Sequence, residues 1–543
     1  MDVNKLIKGY TNAKGDRVVW DSTWEDILYY SIPRKRDITV ERTPGEKQPY
    51  DVYDATAIQA NRTLAAGLSG YLTNASQRWF EIKARNSSLN KDSEVRAFFE
   101  QSADRMFDVF AQSNFYQQIH ETYLDLGSVG TACLYEEEDP QDVVRFSARH
   151  IREYYIAEDS KKKVNTIYRL VQFTAAQAID FFGEKNVSEE IQKCYTDGKI
   201  MQKFDYLHCV MERNVFDPSK SDAKNKRFAS YWVDMRVKKI VREGGYDEFP
   251  FMVPRFYKAS DEVYGYSPAH QSYPDIRTIN ELWRLTIEAA EHMIYPPFLM
   301  EHDSLVSTLD LRAGAINFQK QPMNQGPAVS QLTTGNRVDI AQGILEIVAE
   351  KIEKEFFVDL FLMISRTPNM TATEVMQRAQ EKMLILGPVL GRLQNELLNP
   401  VITRTFNIML RRGLLPAVPQ QLANQEFDIV YVSPLAKAQR AALSRDTQEF
   451  LAVVGQMAQY KPEVLDKIDA DAVVDYYADI KGVTRQIVLD AEEVGNLRQV
   501  RAKQQQAQQQ LMMLQQGAAM YKDAAKGGVD EAKARAITET GTS

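Results

Sequence analysis

Asp469, Asp471, Asp475 and Asp479 form an acidic cluster whose spacing merits weighing as chemistry in this 543-residue chain. Carboxylate oxygens at this spacing could hold a divalent cation, and a cation so held could activate water against a phosphodiester. The same spacing also suits a short helix. Asp469 or Asp471 would then cap its start, Asp475 and Asp479 would sit one turn apart on its wet face, and Gly482 would end it. No glycine stands at the offset an EF-hand loop needs, so the helical reading is preferred and no metal is expected.

Other motifs with chemical content are absent or incomplete. The one Gly-Lys step, Gly198-Lys199, leads into Ile200, so there is no phosphate-binding loop of the Walker kind, and no GxGxxG occurs. His120-Glu121 begins like a zincin helix, but Leu124 stands where the second histidine belongs. Residues 67–70 (Gly-Leu-Ser-Gly) lack the alternate glycines of a nucleophile elbow. His208 and Cys209 are adjacent, a poor geometry for two ligands of one metal, and the six histidines are scattered. The chain therefore reads as no enzyme, with no cofactor. The rival reading is a metal-dependent nuclease or other DNA-processing enzyme built on Asp469–Asp479.

Composition narrows the class. A chain of this length needs several domains. Hydrophobic residues are 44% and charged residues 26%, ordinary values for a folded protein in water. No apolar run approaches the length of a bilayer span, and the first residues lack a secretory leader pattern. Three cysteines without a CxxC pair suggest folding in a reducing cytoplasm. The net charge of −8 disfavours a tight nucleic-acid binder, which needs a basic excess to displace phosphate counterions. It leaves room for a passage through which a polyanion slides, where each close lysine would be a trap.

The elements that would position any site alternate between two regimes. Residues 20–30, 50–72, 94–110 and 116–126 show helical periodicity, the first capped by Asp21 or Ser22 and the second by Asp54. Residues 131–135, 143–146, 154–157, 164–170, 207–213 and 228–233 read as strands, with polar turns at 159–163 and 217–226. A second helical block opens near Pro274, with Ile276, Ile279, Leu282, Trp283 and Ile287 on one stripe, and ends before Pro296-Pro297. Residues 340–361 carry Ile344, Ile347, Val348, Ile352, Phe356 and Leu360 on one face, with Glu346, Glu350 and Glu353 away from it. The intervening 298–339 is too irregular for a core helix. Two long helices joined by such an excursion are hard to place in a compact monomer. They make sense if both bury their stripes against neighbouring copies.

Thr371-Ala372-Thr373-Glu374 is a capping box that opens a helix reaching about Leu410. Gly387-Pro388 falls inside it and predicts a kink, since Val389, Leu390, Leu393 and Leu397 resume the same face. The last hundred residues read as helical, ending in a glutamine-rich run at 504–516 and a polar tail.

Several blocks, in this order, resemble the head-to-tail connector (portal) family of short-tailed phages. They are Trp24, Tyr30-Ser31-Ile32-Pro33-Arg34, Tyr53-Asp54-Ala55-Thr56-Ala57, Leu64-Ala65-Ala66-Gly67-Leu68 and Arg78-Trp79-Phe80, then Phe249-Pro250, Tyr264-Gly265-Tyr266-Ser267-Pro268 and Pro274-Asp275-Ile276 with Asn280. The most specific runs from Met370-Thr371-Ala372-Thr373-Glu374-Val375 through Arg378, Glu381, Leu386-Gly387-Pro388 and Gly391-Arg392-Leu393 to Glu396. Ser433-Pro434-Leu435-Ala436-Lys437-Ala438-Gln439-Arg440 and the aspartate cluster follow it. Tyr266 departs from the pattern, where a basic residue is expected.

The resemblance implies an α+β, mainly helical portal fold with wing, stem, clip and crown, assembled as a twelve-fold ring. The wing would be 1–273, the stem helices 274–293 and 340–362, the clip 294–339 and the channel loop 363–370. The kinked helix and wing return would be 371–445, and the crown with its tail 446–543. Arg366, Thr367 and Asn369 would face the channel; Thr371, Glu374, Gly387, Pro388 and Gly391 would form the cap and hinge behind them. Expected partners are double-stranded DNA, the terminase large subunit, tail adaptor or nozzle proteins, and the major capsid and scaffolding proteins, with no membrane. The expected location is the portal vertex of the virion, after assembly in the host cytoplasm. A monomeric scaffold with no ring is the remaining alternative.

Overall fold

Asp2 starts the first helix: its carboxylate accepts the Asn4 N–H at 3.0 Å, and α1 (Val3–Ser31) then runs unbroken. The start expected at Asp21 or Ser22 is therefore wrong. Asp21 sits mid-helix and pairs with Arg17 one turn earlier at 2.8 Å. The computed structural model describes residues 2–40, 43, 45–46, 51–86, 88–217, 220, 222–301, 310–319, 329–331, 338–362, 385–422, 427–432, 450–458, 460–461, 463–464, 468–481, 494–495 and 497–509. It falls into two compact units, Met1–Leu435 and Ala436–Ser543. Its elements are mainly helical with several sheets, the α+β class expected.

In the first unit, α2 (Thr56–Leu72), α3 (Ser93–Gln112) and α4 (Phe115–Val129) pack around one apolar core. Asp54 accepts the Thr56 N–H, and Asp92 caps α3 through the Glu94 and Val95 amides. Asn61 of α2 is fully buried and donates to the Leu124 carbonyl and the Ser128 hydroxyl of α4. A Cβ on Gly127 would overlap the Asn61 amide, so this close crossing of α2 and α4 needs glycine there. Strand β1 (Phe80–Ala84) lies beside this core, paired antiparallel with the distant β13 (Phe427–Tyr431).

Strands β2 (Cys133–Asp139), β3 (Val143–Arg149) and β9 (Phe251–Met252) form a sheet ordered β3-β2-β9. A second sheet is an antiparallel meander of β4 (Tyr154–Glu158), β5 (Val164–Thr174), β6 (Lys203–Glu212), β7 (Phe228–Asp234) and β8 (Lys239–Tyr246). Two short helices, α5 (Ala175–Phe182) and α6 (Glu189–Thr196), cover part of this sheet through Phe182, Ile191, Tyr206 and Trp232. The first half of α1 covers another part, with Leu6 and Tyr10 against Leu207, Tyr231 and Val233. The lysines of 161–163 are exposed at a hairpin tip, where Asp159 accepts the Lys161 and Lys163 amides.

Next comes α7 (Pro268–Ile294), which begins earlier than Pro274. Ser267 and His270 form a capping box, Pro268 takes the first turn, and Pro274 lies inside the helix. The excursion that follows holds β10 (Phe298–Glu301), β11 (Ile316–Gln319) and β12 (Val329–Gln331), with β10 central, parallel to β11 and antiparallel to β12. The run expected as one helix over 340–361 is two: α8 (Val338–Glu355) and α9 (Val358–Phe361), broken at Phe357 with φ 57°. Helix α10 (385–393) passes through a π turn at Gln394–Leu398 into α11 (Asn399–Arg411).

In the second unit, residues 450–458 and 497–509 are helical, and α12 is Ala470–Lys481. No helix among the described residues is long and apolar enough to cross a membrane.

Candidate functional site

Two aspartates of the cluster are occupied by structural work. Asp469 caps α12, accepting the Asp471 and Ala472 amides at 3.0 and 3.2 Å. Asp471 takes both arms of the Arg498 guanidinium at 2.6 Å, and that guanidinium lowers its carboxyl pKa below the usual range. Asp475 and Asp479 lie on the same helix, with side chains outside the described residues. Among the described residues no three His, Cys, Asp or Glu side chains are grouped to hold a metal ion. His208 is buried, stacked on Trp232 at 4.0 Å and hydrogen-bonded to Ser230, and burial lowers its pKa well below normal. It behaves as a neutral core side chain.

The stronger candidate is the pair α7 and α8, which pack on each other. Ile276, Ile279, Trp283, Ile287 and Ile294 recur at helical spacing on one face of α7. The first two are 1% exposed, but Trp283, Ile287 and Ile294 are 37%, 49% and 84% exposed. On α8, Leu345, Val348 and Ile352 are buried, as is Phe356 just after it, whereas Ile344 and Ile347, expected with them, lie to one side and are exposed. Each helix is thus rooted in the core of its own chain and carries bare apolar side chains, beyond that root on α7 and beside it on α8. Ion pairs run along the surface: Arg284 bridges Glu281 and Glu288, and Lys354 pairs with Glu350.

The motif blocks of the sequence meet around this root. The Asn280 amide oxygen accepts the Tyr53 and Asp54 N–H groups at 3.0 and 3.1 Å, tying the segment ahead of α2 to α7. The Ser267 hydroxyl donates to the Ser128 carbonyl at 2.7 Å. Tyr266, where a basic residue was expected, packs on Trp20 at 5.0 Å and donates its hydroxyl to Glu262.

Glu396, in the π turn, accepts three bonds from Arg255: one from its backbone N–H, one from Nε and one from Nη2, at 2.9, 2.9 and 2.7 Å. Arg255 also pairs with Glu158, which Lys258 contacts as well. Arg255 is buried and the side chains of Glu158 and Lys258 are nearly so, and sequence reasoning missed all three, because the cluster's members share no spacing pattern. Glu136 is another buried carboxyl. Its Oε1 accepts the Thr405 hydroxyl at 2.8 Å and its Oε2 has no partner. Burial raises its pKa to about 8, helped by Glu248 and Glu138 and opposed by Arg404 and the Thr405 bond.

Arg366, Thr367, Asn369, Thr371 and Glu374 lie outside the described residues. Gly387, Pro388 and Gly391 belong to α10, where Leu386, Val389 and Leu393 face the core and a Cβ on either glycine would meet open space. In the described part of this helix the departure from α geometry is the π turn, beyond Gly387-Pro388.

What the structure sets apart is therefore the pair α7 and α8, anchored in the core and partly bare. The family model described as bacteriophage head to tail connecting protein matches residues 3–488, and the chain belongs to that family. Among its relatives is the probable portal protein of Bordetella phage BPP-1, 33% identical over 542 residues, or 98% of this chain and 97% of that one. The portal protein of Salmonella phage epsilon15 is 30% identical over 521 residues, 95% of this chain and 94% of that one. This full-length likeness supports a phage portal role, in a structural family with capsid and tail as its general neighbours.

Proposed function

We propose that the chain is the portal subunit of a short-tailed phage, twelve copies of which close into a ring at one capsid vertex. DNA passes through that ring during packaging and again during ejection. The observation that carries the reading is the bare outer half of α7, Trp283, Ile287 and Ile294, together with the Ile344 and Ile347 flank of α8. A closed ring needs two different complementary surfaces on each copy, and these two apolar strips supply a pair. The net charge of −8 supports a passage that does not grip its polyanionic cargo.

Residues 274–293 and 340–362 would form the stem, and the β10–β12 sheet within 294–339 the clip that docks the terminase large subunit and later the tail adaptor. Residues 363–370, with Arg366, Thr367 and Asn369, would face the DNA; the second unit would form the crown inside the head. Assembly with capsid and scaffolding proteins would take place in the host cytoplasm.

The test is Trp283→Asp with Ile287→Asp. Negative-stain images should show rings with a central hole for the wild type and dispersed subunits for the variant, with helical content by circular dichroism unchanged. Rings of normal size from the double variant would overturn the reading. Deleting 366–369 should leave rings intact while heads lose or fail to retain DNA; normally filled heads would remove the channel role.

A further inference from the structure

The break between α8 and α9 is unusual in its chemistry. Phe357 takes φ 57°, ψ 26°, a left-handed conformation that glycine or asparagine adopts cheaply and a bulky aromatic residue does not. No glycine or proline lies between 344 and 367 to impose it. What the break achieves is visible on α2. Phe361 lies over Gly67, where a Cβ would overlap the ring, and its ring is 5.6 Å from that of Tyr71. Val358 and Leu360 are 3% exposed beside it. The base of the joint is fixed, because Leu345, Val348 and Ile352 of α8, and Phe356 just after it, are held in the core.

We propose that this joint is a two-position latch. In the position seen here, Phe357 is left-handed and Phe361 is seated in the Gly67 notch of α2. In the other, Phe357 is right-handed, α8 and α9 run on as one helix, and Phe361 has left α2. The strain at Phe357 favours release, while burial of Val358, Leu360 and Phe361 favours seating. Burial of several side chains outweighs strain at one residue, so the seated position is the ground state and release is the minor state, drawn closer because α9 is only four residues long. The latch sets the direction in which the chain leaves Leu362. Its existence does not depend on the portal reading; only its use in steering the residues after 362 rests on that reading.

Thiol labelling of Val358→Cys in the full-length chain reads the release, since Cys133, Cys194 and Cys209 are all buried. Gly67→Ala should speed labelling, and adding Phe361→Ala should erase that increment, because the ring the methyl displaces is gone. Phe357→Ala and Phe357→Gly both delete the ring but differ in their tolerance of positive φ. The alanine variant should therefore label roughly five- to thirty-fold faster than the glycine variant. Equal labelling of those two variants, or a Gly67→Ala rate equal to that of Val358→Cys alone, overturns the latch. If Gly67→Ala does not fold, Phe361→Ala alone takes its place and must speed labelling. Because labelling can be read on dispersed subunits, failure of the latch is distinguishable from failure to form rings.

Discussion

Replacing Glu136 by glutamine should stabilise the protein, by an amount that grows with pH. The carboxyl lies wholly inside the seam between β2 and α11. One oxygen accepts the Thr405 hydroxyl and the other has no partner, while Arg404 directs its Nη1 to Glu248 instead. The groups facing Glu136 are Arg404, Glu248 and Glu138, and burial outweighs them, holding the acid neutral up to a pKa of about 8. In the unfolded chain the same group ionises near its ordinary value of 4.5. Raised in the folded state, it contributes stability that is fully present below 4.5 and is lost progressively as pH rises to about 8. At pH 7 the loss is about 3 kcal/mol, at roughly 1.4 kcal/mol per pH unit. Glutamine keeps the size and the acceptor and does not ionise. Urea unfolding of the two proteins, followed by circular dichroism at pH 5, 7 and 9, should show glutamine gaining steadily from pH 5 to about 8 and no further beyond it. Every other titrating group is common to both proteins and cancels. Parallel pH dependence of the two unfolding free energies would refute the reasoning.

The Arg255 cluster responds in the opposite sense. Arg255→Lys cannot serve Glu396 through two nitrogens while holding Glu158, and it should lower stability by about 3 kcal/mol, seen as a depressed thermal midpoint. Gly130→Ala should cost roughly 2–5 kcal/mol in the same measurement. Its φ of 82° favours glycine, and its Cβ would meet the unyielding backbone of Gly265 and Tyr266.

Helices such as α3 and α4 were legible because their apolar residues repeat locally and turn residues mark their ends. The strands of the meander from β4 to β7 were legible for the same reason, since each pairs with its neighbour in sequence. β1 was missed because its partner β13 lies at the far end of the unit, and no window on the sequence contains both. α5 was missed although Thr174 and Gln177 form a capping box that could have marked it. Asp21 misled because a capping residue and the acidic half of an i,i+4 pair look alike in sequence. The break at Phe357 carries no breaker residue, so only tertiary packing on α2 explains it. For the site, the apolar stripe of α7 was readable, but where it leaves the core was not, since that depends on the depth of the surrounding elements.

The pairing of β1 with β13 sets an order of events during synthesis. Trp79 is 2% exposed, stacks over Tyr431 at 6.5 Å and offers its carbonyl to the Val432 amide. While the ribosome is still making the middle of the chain, that side of the N-terminal core has no lid, and its strand edge is open to mispairing. The first unit closes only when residue 432 has been made, by which time α7 and α8, with their bare apolar halves, are complete. A nascent chain therefore exposes sticky helices before its own core is sealed.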